Sequence, residues 1–63
     1  MTIRLFFNTA ENQYHEKETI ELDFRPVKDD ILHHDGSRYL ISKVEYGAAV
    51  NGKQTISVFL TNP

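Results

Sequence analysis

The sequence predicts an all-β protein, a small five-stranded antiparallel meander curled into a barrel. Three observations lead there. Apolar residues recur with period two along most of the chain, and the dipeptides Asp35-Gly36 and Asn51-Gly52 punctuate the runs as hairpin turns. The third is size. Sixty-three residues without a cysteine bury only about 60% of their unfolded surface, so a closed barrel, an oligomer interface or a metal must supply the missing staple.

The first element is TIRLFFN, in which Ile3, Leu5 and Phe7 alternate on one face while Phe6 adds an apolar residue opposite. KETIELDF carries the cleanest signal, with Ile20, Leu22 and Phe24 set against Thr19, Glu21 and Asp23. That is a strand with one buried and one wet face. Arg25-Pro26 is expected to stop it, because proline cannot donate to a ladder and restricts the residue before it. Between these strands TAENQYHEKE is polar and has neither Gly nor Pro, which suits a wide loop or one helical turn; Thr9 and Asn12 make no capping box.

Around Asp35-Gly36 a two-residue loop pairs His34 with Ser37, His33 with Arg38 and Leu32 with Tyr39. On the return strand Tyr39 and Ile41 share a face, but the next strong apolar residues are Val44 and Tyr46, which breaks the rhythm. A β-bulge near Ser42-Lys43 restores it and keeps all four side chains inward. After Asn51-Gly52, QTISVFL is the last strand, with Ile56, Val58 and Leu60 alternating against Thr55, Ser57 and Phe59. Residues 1–63 read as one domain without repeats or linkers.

Within RPVKDDILHHDGSRYLISKVEY, a Pro after a strand, an Asp before an Ile, a Gly turn, Tyr-x-Ile and a further Val fall at Pro26, Asp30, Ile31, Gly36, Tyr39, Ile41 and Val44. This pattern, about a third of the chain, resembles that of Src-homology-3-like barrels, including small proteins of bacterial phages and prophages. The resemblance implies a fold and, by analogy, a small bacterial or phage accessory or regulatory protein. It transfers no functional residue.

Composition narrows the function. Nine acids against seven bases give a formal charge of −2, which argues against the basic excess that nucleic-acid binding normally needs. MTIRLFF has no apolar h-region of about seven residues, and no run approaches the roughly 20 apolar residues of a membrane helix. With no cysteine, the expected location is the cytoplasm. His33, His34 and Asp35 are metal-binding types, but adjacent strand residues point to opposite faces. A third ligand, His15, reaches them only if its loop folds across, so no metal and no cofactor are expected. Ser37 beside His34 and Asp35 lacks the water-excluded pocket of a triad, so no enzyme is expected and no catalytic residue is assigned.

From Glu11 to Asp23 there are five acids and one Lys, a solvated face or an acidic docking patch. LFF, YLI and VFL put bulk on both faces of their strands. A barrel has one inside, so Phe6, Leu40 and Phe59 are expected on the outside, with Tyr14 at the rim. Contiguous exposed apolar surface marks interaction sites. The expected function is therefore a non-enzymatic protein-interaction or self-associating module, its partner another protein or a second copy in a homodimer. The alternative is a barrel binding single-stranded nucleic acid through Arg38, Lys43, Tyr39 and Tyr46.

Overall fold

The computed structural model describes residues 1–10, 13–48, 51–52 and 54–63. The described residues are all β, without helix. Strands β1 (Thr2–Ala10), β2 (Gln13–Glu21), β3 (Ile31–His34), β4 (Ser37–Tyr46) and β5 (Ile56–Thr61) form one mixed sheet in the order β2-β1-β5-β4-β3. No helix among them is long and apolar enough to cross a membrane.

Two parts of the expected architecture are corrected. The strands do not run as an antiparallel meander, because β1 pairs with β5 in parallel, setting Leu5 opposite Val58 and Phe7 opposite Leu60. The sheet is also not closed into a barrel, since among the described residues β2 and β3 share no ladder and form its two edges. The reason is written in the strands themselves. Parallel strands are usually buried on both faces and read as continuous apolar runs, and LFF and VFL are two of the three strand segments with bulk on both sides. They take the centre, and each hairpin partner forms a wing.

Although open, the sheet curls about one core. Ile3, Leu5, Leu32, Ile41, Ile56, Val58 and Leu60 are buried, with Phe7, Ile20, Leu22, Tyr39 and Val44 packed on them. Phe7 of β1 meets Tyr39 of β4 edge to face at 5.2 Å although β5 lies between their strands. Such a contact between non-adjacent strands requires a strongly bent sheet. The curl also brings the two edges together on the core side, where His34 Nε2 lies 2.5 Å from Glu18 Oε1.

Both wings follow from local chemistry. The Asp35-Gly36 hairpin has the expected register, His34 opposite Ser37 and Leu32 opposite Tyr39, and both turn residues take positive φ, 51° and 79°. That is the mirror-image turn matching strand twist. Asn51 and Gly52 have positive φ as well. The bulge lies where the rhythm breaks, with a register shift between Ile41 and Lys43. It leaves Ile41 and Val44 on the core side and Tyr46 at its margin, 45% exposed.

The other wing departs from expectation. The polar stretch expected as a loop or helical turn is strand on both sides of residues 11–12, which lie outside the described residues. Its polarity suits an edge strand, which is held to β1 by the antiparallel backbone ladder with the Arg4–Glu16 and Thr2–Glu21 contacts added. β2 ends at Glu21, earlier than expected, so Leu22 still packs on the core while Phe24 turns out to 61% exposure. The chain then crosses from one sheet edge to the other over residues 22–30. Pro26 is buried there, Asp29 takes φ 76°, and Asp29 N–H donates to the Ile41 carbonyl.

Gly47 closes the far end of β4 against Thr55, donating its N–H to the Thr55 carbonyl at 2.8 Å. A Cβ placed at Gly47 would lie 2.1 Å from Thr55 Oγ1, so Gly47→Ala should cost about 1–3 kcal/mol through overpacking. Adding Thr55→Ala should return part of that loss. Denaturant midpoints of the two single variants and the double variant check this, and strictly additive effects would contradict the steric cause.

Candidate interaction surface

The face of the sheet turned away from the core carries an aromatic cluster. Phe6 and Phe59 lie opposite each other in the parallel ladder, and their rings stack with centroids 4.7 Å apart and planes 17° from parallel. Tyr14, from edge strand β2, meets Phe59 edge to face at 5.1 Å. Such pairs contribute about 0.5–1.5 kcal/mol each beyond the area they bury. All three side chains are half-buried, neither core nor free. Leu40 lies further along the same face, opposite Ile31 and Thr61 and also half-buried.

Charges frame the rings. Arg4 Cζ sits 5.4 Å from the Phe6 centroid and Lys43 Nζ 4.3 Å from that of Phe59, so each cation lies over the electron-rich face of a ring. The Arg4 guanidinium grips Glu16 with two donors, Nε to Oε2 at 2.5 Å and Nη2 to Oε1 at 2.9 Å. Lys43 pairs with Glu45 at 3.5 Å. Each flank of the aromatic centre thus holds one cation and one anion.

Ser42, the residue of the bulge, ties Tyr14 down. Its hydroxyl donates to the Phe59 carbonyl at 3.0 Å. That hydroxyl has one hydrogen, so at the 3.2 Å contact with Tyr14 Oη the phenol is the donor. The result is a relay from Tyr14 through Ser42 to the Phe59 carbonyl, spanning β2 to β4 over the two central strands. Relays of this kind polarise cooperatively.

Of the residues expected at a partner surface, the structure brings Phe6, Phe59 and Tyr14 into contact and sets Leu40 on the same side. The set expected for oligonucleotides is divided. Tyr39 packs in the core and Tyr46 lies on the core side under Arg25, whereas Lys43 is on the outer face and Arg38 stands opposite outward-facing His33. The four do not form one surface. Arg4 and Ser42, absent from both expected sets, complete the outer cluster. Arg4 was legible as the residue between Ile3 and Leu5, and therefore on the side of Phe6.

The acidic stretch is consumed internally in part. Glu16 is held below the usual carboxylate range by its hydrogen bond from Arg4, and Arg4 is raised in turn by Glu16. Glu21 is held down chiefly by the Thr2 hydroxyl, with the N-terminal ammonium adding to it. Glu18 faces His34. No family model, curated protein sequence or solved structure matches the chain.

Two predictions follow from these contacts. Ser42→Ala and Tyr14→Phe should each cost about 0.5–1.5 kcal/mol, and the double variant less than their sum; independent losses in a double-mutant cycle would refute the relay. On pH, the folded carboxyls of Glu16 and Glu21 are depressed, so the unfolded chain binds more protons. Their contribution is present above the ordinary glutamate value of about 4.3 and is lost as pH falls through the lower folded values. Denaturant midpoints should therefore decline below about pH 4.3, and less steeply in a Glu16→Gln/Glu21→Gln variant.

Proposed function

We propose that this protein is a non-enzymatic, self-associating interaction module whose contact surface is the outer face centred on Phe6, Phe59 and Tyr14, with Leu40 beside it. The observation that carries the reading is the Phe6–Phe59 stack, a half-buried aromatic pair on the side of the sheet opposite the core. Interfaces concentrate aromatic residues at their centre and keep charge for the rim, and this face has that arrangement, with Arg4 and Lys43 on its flanks.

A second copy is the occupant its charges suit. Arg4 with Glu16 on one flank and Lys43 with Glu45 on the other give each side both signs. A two-fold operation can therefore set cation against anion on both flanks, as an isologous interface requires. A standard interface removes about 800 Å² per partner, a modest part of the 4591 Å² the folded chain exposes. Association also supplies the staple a cysteine-free chain of this size lacks.

Light scattering coupled to size exclusion should show the apparent mass climbing from monomer to dimer across a concentration series. Phe59→Glu should weaken dimerisation at least ten-fold while the β circular dichroism signal of the monomer persists. A parent that stays monomeric at millimolar concentration, or a Phe59→Glu chain that unfolds, would defeat the reading; the second outcome would make Phe59 a core residue.

A further inference from the structure

A separate cluster lies on the core side, where the free edges of the sheet meet. His34 of β3 projects its Nε2 between two carboxylates, 2.5 Å from Glu18 Oε1 of β2 and 3.5 Å from Asp35 Oδ2 in the adjoining turn. The three donor atoms all lie within 4.8 Å of one another. The His34 side chain is only 17% exposed, and the Phe7 ring lies 6.4 Å from the imidazole, so one wall of the cluster is apolar. Among the described side chains, which leave out that of Lys17, neither carboxylate pairs with a lysine or arginine. Two anionic groups therefore share one imidazole.

We propose that Glu18, His34 and Asp35 form a site for a divalent transition metal of the zinc class, which clips edge strand β2 to edge strand β3. Zinc binds imidazole nitrogen at about 2.0–2.1 Å and carboxylate oxygen at about 2.0–2.2 Å, so its tetrahedral ligand atoms stand roughly 3.3 Å apart. The His34–Asp35 spacing already fits. Glu18 and His34 must separate by roughly 0.8 Å to reach that ligand spacing. Glu18 is free to move, its side chain being 40% exposed. The ion takes the place of the proton lying between Nε2 and Oε1, which leaves to solvent, and water completes the fourth position. The imidazole selects against calcium and magnesium, which prefer all-oxygen sites.

The site is independent of the aromatic face. It also differs from the pairing suggested by the adjacent histidines, since His33 lies on the other side of β3 opposite Arg38. Its third donor comes from a strand that is remote in sequence.

The test uses the full chain, freed of metal with chelator and titrated with zinc by calorimetry, with thermal melts alongside. Zinc should bind one per chain and raise the melting temperature, whereas calcium and magnesium should do neither. His34→Gln and Glu18→Gln should each weaken zinc at least ten-fold, and His33→Gln should leave affinity unchanged. Asp35→Asn keeps the turn intact, because asparagine tolerates the positive φ of 51° there, and should also weaken zinc several-fold. A parent that neither binds zinc nor melts higher with it overturns the proposal. So does zinc affinity that survives both His34→Gln and Asp35→Asn, or that drops with His33→Gln instead. Because self-association would itself shift the melting temperature, the melts are repeated on the Phe59→Glu chain, in which a zinc-dependent rise is read apart from dimerisation.

Discussion

The fold depends on the parallel pairing of β1 with β5. That single ladder sets Leu5 beside Val58 and Phe7 beside Leu60 on one side of the sheet, and Phe6 beside Phe59 on the other. The first set anchors the core. The second makes the aromatic stack. Each wing then joins as a hairpin partner, β2 onto β1 and β4 onto β5, so both faces inherit their positions from the central pair. Because the core covers only one side, the bulk required at the centre leaves aromatic surface on the other.

The bulge at Ser42 converts this geometry into a specific surface. By adding one residue it keeps Ile41 and Val44 inward and turns Lys43 out over Phe59. The freed hydroxyl of Ser42 reaches the Phe59 carbonyl and receives Tyr14 from across the sheet. A local break in periodicity thereby fixes a cation, a hydroxyl and a phenol around one ring.

Much of this was legible in the sequence, and the failures have physical causes. The Asp35-Gly36 register and the bulge could be read because turn chemistry and side-chain period are local. Strand order could not, since no local signal states which strand Leu5 will neighbour. The double-sided bulk of LFF, YLI and VFL was read only for the side chains it leaves outside, although the same feature marks the three interior strands of the sheet. Only the first half of β2, residues 13–16, was misread, because it is polar and lacks the apolar alternation that marks residues 17–21. The meeting of Glu18 with His34 depends on the curl of the whole sheet, which periodicity does not encode.

The central ladder also governs how the chain must find its structure. Arg4 lies opposite Ser57, so the contact on which every other layer rests joins residues from nearly the whole length of the chain. The two hairpins can form early and locally, but neither has a core until β5 docks beside β1. Loop closure must be met before that contact rewards it, which places this protein among slow folders for its size. In the interval the inner faces of both hairpins stay uncovered. Partly assembled chains are then exposed to pairing with one another through the same β1 edge that β5 would occupy.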